Sequence, residues 1–170
     1  MCRFCKFIKN PMNITSQIES LQRLTHELLH LGVDGSPLYS GRFCQLNKDV
    51  LAQSDTLFAI KVTDLEEETT ICLTLLNGYN ATIYNHGDKE QKKQALLDRS
   101  WSVIDQLPAS LLKCQLLVAC YGEVFEEELA KDAHSIINSW DVRKLTKEEK
   151  EIIEMLNNLE ENQYPNSELE

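Results

Sequence analysis

Apolar residues recur along this chain three or four positions apart, and from Asn13 onwards no stretch alternates convincingly as a strand would. In the first segment Ile14, Ile18, Leu21, Thr25 and Leu28 fall on one narrow arc at helical spacing. Gly32 and the Asp34-Gly35-Ser36-Pro37 cluster end it. A second helix is fainter: Phe43, Leu46, Val50 and Leu57 carry it, diluted by β-branched and small polar residues. Thr63 and Glu66 form a capping box for a third helix, with Cys72, Leu75, Leu76, Tyr79 and Ile83 inward and Gly87 at its end. Asp88 is placed to cap a fourth, whose face is Leu97, Trp101, Ile104 and Leu107, up to Pro108. Two faces follow, Leu112-Leu116-Ala119 and Phe125-Leu129-Ala133-Ile136-Trp140. A break at Gly122 and a turn nearer residues 126–128 are both compatible with them. Thr146 and Glu149 cap a last helix that turns Ile152, Leu156 and Leu159 inward.

The pattern predicts an all-α fold, an irregular bundle of about six or seven helices. A faint internal repeat offers a second arrangement. LLNGYNATIYN from Leu75 aligns with LVACYGEVFEE from Leu117, and an amphipathic helix follows each. Stacked helix pairs of that kind build solenoids. One helical domain is expected over residues 13–161, with a polar tail over 162–170. Residues 1–12 read as a leader upstream of a start at Met12, arising from an earlier start codon or a cloning addition. The alternative is a small basic, cysteine-bearing tail with a role of its own.

Composition narrows the setting. Apolar residues make up 42% of the 170, yet no run approaches the roughly 20 a membrane span needs. The longest, Leu111 to Tyr121, is interrupted by Lys113 and Gln115. No apolar signal core stands near the start, so a cytoplasmic location and reduced cysteines are expected. Charge is uneven. Residues 1–65 carry 7 Lys and Arg against 6 Asp and Glu, whereas residues 66–170 carry 10 against 21. Such a surface repels phosphate backbones, so a basic protein partner is expected and direct nucleic-acid contact is not.

The motifs that suggest chemistry are weak. His26-Glu27-Leu28-Leu29-His30 matches the zinc-peptidase pattern, in which two imidazoles on one helical face hold the metal and the Glu is general base. A working site needs a third ligand. Val33 and Ser36 stand where a metzincin has Gly and His, and no Glu lies between Glu27 and Glu66, leaving only Asp49 and Asp55. Both histidines also face away from the Ile14-Ile18-Leu21-Leu28 stripe. Cys2-x-x-Cys5 lacks a second ligand pair at finger spacing, and Cys114 and Cys120 sit in an apolar run that favours packing. His134 and His86 are the candidate partners for a cysteine nucleophile, with nothing to place them beside one. The Asn13-Ile14-Thr15 and Asn80-Ala81-Thr82 acceptor patterns fall on helices, and no glycine-rich loop follows a strand.

Two carboxylate clusters remain. Glu66-Glu67-Glu68 suits the first turn of a helix, where the dipole favours anions. Glu123, Glu126, Glu127 and Glu128 are read as lying farther inside a helical region, where stacked like charges cost stability. That cost makes them the candidate partner-binding residues. No catalytic residue, metal, cofactor or small-molecule substrate is expected. The residues alone describe an acidic, helical, protein-binding module, with a zinc hydrolase on His26, Glu27 and His30 as the enzymatic alternative.

Residues Leu96 to Trp140, LLDRSWSVIDQLPASLLKCQLLVACYGEVFEEELAKDAHSIINSW, together with HELLHLGVDG from His26 to Gly35, resemble the UpxZ family. The likeness extends over roughly residues 13–168. It implies a transcription regulator from the capsular polysaccharide loci of gut Bacteroidales, an antagonist of NusG-like (UpxY-type) antitermination factors encoded by other loci. The same resemblance suggests a mode of action: NusG-like domains dock on a helical hairpin of RNA polymerase, and adjacent helices of this chain could imitate it. An acidic helical adaptor with an unrelated partner is the other reading.

Overall fold

The computed structural model describes residues 13–33, 35, 37, 41–83 and 87–163. The leader, Cys2 and Cys5, His86 and most of the C-terminal tail lie outside the described residues. The fold is all-α, with seven helices and no strand among the described residues. They are α1 (Ile14–His30), α2 (Gly41–Phe58), α3 (Leu65–Ala81), α4 (Lys89–Ile104), α5 (Leu111–Val124), α6 (Glu127–Ile137) and α7 (Lys147–Gln163).

Their packing follows a zigzag. Helices α1, α3, α5 and α7 lie side by side in one layer, and α2, α4 and α6 each bridge two of them from the other side. The four run in the same direction, so their C-terminal turns share an edge. Leu29 of α1 and Ala81 of α3 line one groove, Asn80 of α3 bonds to Glu123 of α5, and Gly122 of α5 abuts Leu159 of α7. The bundle is therefore built as solenoid-like helix pairs. Leu75 and Tyr79 of α3, and Leu117 and Tyr121 of α5, are buried at matching places in the repeat.

Helix α5 is the most enclosed of the seven. None of residues 111–124 is exposed, and Leu116, Leu117, Val118, Cys114 and Cys120 are wholly buried. A helix apolar on all sides must be covered on all sides, and α3, α4, α6 and α7 do so. The outer helices α1 and α7 keep one apolar stripe each. In α1 this is Ile18, Leu21, Leu24, Thr25 and Leu28, and in α7 Ile152 and Leu156.

Several local expectations shift. The residue capping α3 is Asp64, one place beyond Thr63, and its side chain accepts from Glu67 N at 2.8 Å. Aspartate accepts two or three residues ahead as well as threonine does, so Asp64 takes the cap in place of Thr63. The same helix ends at Ala81, well before Gly87, and leaves Ile83 61% exposed. Asp88 stands at the N-cap of α4 without capping it, because its carboxylate binds Lys92 at 3.2 Å. The α5–α6 break falls at Phe125, a left-handed residue at φ 53°, and not at Gly122. At α7 the capping box holds in both directions: Thr146 N donates to Glu149 and Glu149 N to Thr146 Oγ1.

Two of the small polar residues that blur the α2 pattern, Asn47 and Ser54, are themselves buried. Asn47 Nδ2 donates to Phe43 O at 2.9 Å, and its Oδ1 accepts from Ile83 N at 3.1 Å, beyond the end of α3. The buried Lys89 closes the same end, donating to Thr82 O at 2.8 Å, and burial pushes its pKa below the usual lysine range. Arg99 forks onto Glu68 and also donates to Phe58 O and Ile60 O at 3.2 and 2.7 Å, fixing the α2–α3 link. Ser54 faces Gly78 across the α2–α3 contact.

A Cβ at Gly78 would lie 2.6 Å from Ser54 Oγ, with Leu21 of α1 on its other side. Gly78→Ala is therefore expected to destabilise the fold by about 1–3 kcal/mol, outweighing the ~1 kcal/mol of helix propensity gained. Ser54 Oγ has no hydrogen-bond partner in this packing. Adding Ser54→Ala to Gly78→Ala should restore most of the loss in urea melts. Equal midpoints for wild type and Gly78→Ala would show that the helices separate there at no cost.

Candidate functional site

The four candidate carboxylates do not form one patch. Glu123 lies in the last turn of α5 with its side chain only 16% exposed. It meets Lys93 Nζ of α4 at 2.8 Å and accepts a hydrogen bond from Asn80 of α3, so it ties three helices together. Glu126, Glu127 and Glu128 are exposed on the far side of the Phe125 break. The stacking of like charges inside one helix, expected from sequence, is absent. Glu126 is the N-cap residue of α6, and Glu127 and Glu128 occupy its first turn, where the helix dipole favours them.

The break makes α5 and α6 a helical hairpin with its tip in solvent. Phe125 stands 38% exposed at that tip, edge-on to Tyr121 with ring centroids 5.4 Å apart. Behind it α6 and α7 enclose a shallow open cleft of about 850 Å³. Glu127, Glu128 and Glu160 contribute negative charge to this cleft, and Lys131 offsets part of it. His134 Nε2 lies 2.8 Å from Glu160 Oε1, joining the two helices. These residues are 26 apart in the chain, so no local spacing could have announced the pair.

The zinc-peptidase pattern is dispersed among other partners. His26 and His30 are exposed and stack on each other, centroids 3.9 Å apart, while His30 Nδ1 lies 2.8 Å from His26 O. Glu27 pairs with Arg42 of α2. Asp49 accepts from Gln45 at 2.8 Å, and Asp55 takes both Lys92 at 3.0 Å and the Tyr79 hydroxyl at 2.9 Å. No group of three or more His, Cys, Asp or Glu among the described residues is arranged to hold a metal. The Asn13 acceptor pattern likewise has a local use, since Asn13 Oδ1 caps α1 by accepting from Thr15 N at 3.2 Å.

Comparison with known proteins turns on two findings. Residues 18–122 match the model of the UpxZ family of transcription anti-terminator antagonists. The crystal structure of a transcription anti-terminator antagonist UpxZ from Bacteroides uniformis is 52% identical, covers 94% of this chain and 99% of its own, and superposes with a TM-score of 0.81. The chain belongs to the UpxZ family. No curated protein matches it. The UpxZ-family match takes in α2 to α4 and nearly all of α1 and α5, stopping just short of the hairpin tip.

As a UpxZ-family protein the chain uses three of its cysteines as core. Cys72, Cys114 and Cys120 are wholly buried, and burial lifts their thiols from an ordinary 9.0 to about 11, 11 and 12. Thiols held neutral in this way are poor nucleophiles. No helix of the described residues is long and apolar enough to cross a membrane.

Two outcomes follow. The native state keeps these three protons at pH values where the unfolded chain releases them, so their stabilising contribution is complete below pH 9.0 and declines as pH rises towards 11–12. Alkylation of the folded protein at about pH 8 should spare Cys72, Cys114 and Cys120 in mass mapping, with labelling only on unfolding. Prompt labelling of the native protein would contradict their burial. Separately, metal analysis of protein purified without a chelating column should find no stoichiometric zinc. A value of about one per chain would reopen the His26–His30 site.

Proposed function

We propose that this chain is a trans-acting antagonist of NusG-like (UpxY-type) antitermination factors encoded by other capsular polysaccharide loci, acting in the cytoplasm by binding and without a catalytic step. Membership in a family of transcription anti-terminator antagonists is the observation that carries this reading. Geometry supports a binding role. The described ionisable groups that suggested catalysis are engaged in structural contacts, and a helical hairpin tip carrying Phe125 stands in solvent.

The proposed contact is the α5–α6 tip. An antiterminator of the NusG kind docks on a helical hairpin of RNA polymerase, and a hairpin presenting Phe125 beside Glu126, Glu127 and Glu128 would compete for the same face. The carboxylates serve the approach. Exposed charge of one sign accelerates encounter with an oppositely charged partner and fades with salt. Glu123, held inside the α3–α4–α5 contact, is withdrawn from this role.

Surface-plasmon measurements against UpxY-type proteins from the chain's own and foreign loci provide the test. Tight binding that favours the foreign proteins is expected. The triple variant Glu126→Lys, Glu127→Lys, Glu128→Lys should associate about tenfold more slowly at low salt, and the difference should shrink near 1 M salt. Unchanged association would remove the steering role of the tip. Absence of binding to every antiterminator would overturn the proposal itself.

A further inference from the structure

We infer that the layer formed by α1, α3, α5 and α7 carries a docking groove for an amphipathic segment of the antagonised protein, apolar along one side and bearing Lys or Arg at its α7 end. The inference rests on the antagonist reading above and locates a second contact on the partner.

The layer is curled. Met155 of α7 reaches a groove of about 450 Å³ whose walls are α1 and α3, although α5 separates α7 from α3 in the order of packing. Solenoid-like stacks characteristically bind along the concave side that such curling creates. Two long apolar side chains stand in this groove without cover, Leu29 at 62% exposure and Met155 at 48%. They come from opposite ends of the layer, so their meeting is a product of the fold and not of local sequence. Thr25, on the wall between them, is buried with no hydrogen-bond partner for its Oγ1. Native structures rarely leave such a hydroxyl unanswered.

Charge chooses among occupants. The groove continues past Met155 and Asn77 into a second depression of about 180 Å³, which Glu148 and Glu151 border. Among the described residues lining the two depressions there are two carboxylates and no Lys or Arg, and only an exposed Lys147 outside the lining meets one of them, Glu151, at 3.4 Å. A segment with an apolar ridge and cations at this end is complementary, whereas an acidic segment is repelled. The other end leads to the hairpin tip. Asn80 lines the groove and donates to Glu123, two residues before Phe125. One partner can therefore touch the tip and the groove together.

Leu29→Glu and Met155→Glu test the groove, because both sites are exposed enough to tolerate a carboxylate. Val142→Glu, at a residue 82% exposed and in neither depression, is the control. Affinity for the foreign UpxY-type antiterminator that wild type binds should weaken about tenfold or more in each groove variant. The control should bind as wild type does, and thermal midpoints should stay together. Equal affinity of wild type and both groove variants overturns the groove and leaves the antagonist reading standing. If wild type binds no antiterminator, that reading falls and the proposed occupant with it. Sedimentation supplies the last arm: a wild-type dimer that Leu29→Glu separates would assign the groove to a second copy of this chain and overturn the partner segment.

Discussion

Helix α5 has no face to offer water. Its side chains are apolar nearly all round, so four other helices must surround it, and the two-layer zigzag is an economical way to supply them. Helices α3 and α7 flank it within the layer, and α4 and α6 cover it from the other side. The remaining pair, α1 and α2, leans mainly on α3, and the Asp55–Lys92 pair and the Arg99 bond to Phe58 O tie α2 to α4 as well. Close approach makes this geometry workable. Gly78 lets α3 settle against Ser54 of α2 and Leu21 of α1, and Gly122 lets α5 settle against Leu159 of α7.

Polar side chains secure the joints between layers. Asn47 and Lys89 answer backbone groups where α3 ends, Arg99 holds the link between α2 and α3 while pairing with Glu68, and Glu123 draws α3, α4 and α5 together. Burying charge is expensive unless every donor and acceptor finds a partner. These groups sit where backbone carbonyls and amides at helix ends are available to them. The Glu68–Arg99 pair is the most enclosed, with 12 and 13% of each side chain exposed.

Much of the helical fold was legible in the sequence because α1, α6 and α7 are amphipathic, and a stripe of apolar residues at helical spacing has few other solutions. The all-α class, the Thr146–Glu149 cap and the outward His26–His30 pair all follow from that pattern. Where helices are covered on two sides the pattern loses its meaning. Asn47 and Ser54 looked like dilution of α2 and proved to be part of its buried face. Gly122 was one of two places the pattern allowed for the break, yet it serves packing, while the turn was made by Phe125, which no propensity would nominate for the left-handed region. The carboxylate cluster was misplaced for the same reason. Without the break, Glu123 and Glu128 seemed to share a helix; with it, one is a structural tie and the other a helix-start residue.

The zigzag also bears on how long such a molecule persists. Each helix leans on near neighbours in the chain, and stability in stacked arrangements of this kind is passed from unit to unit. Disorder enters most easily at an end, and here the ends differ. Loss of α1 and α2 removes two of the four helices packed on α3, whereas loss of α7 opens one flank of α5, a helix with no exposed residue of its own. Fraying of α7 would thus hand a protease the middle of the molecule along with its edge.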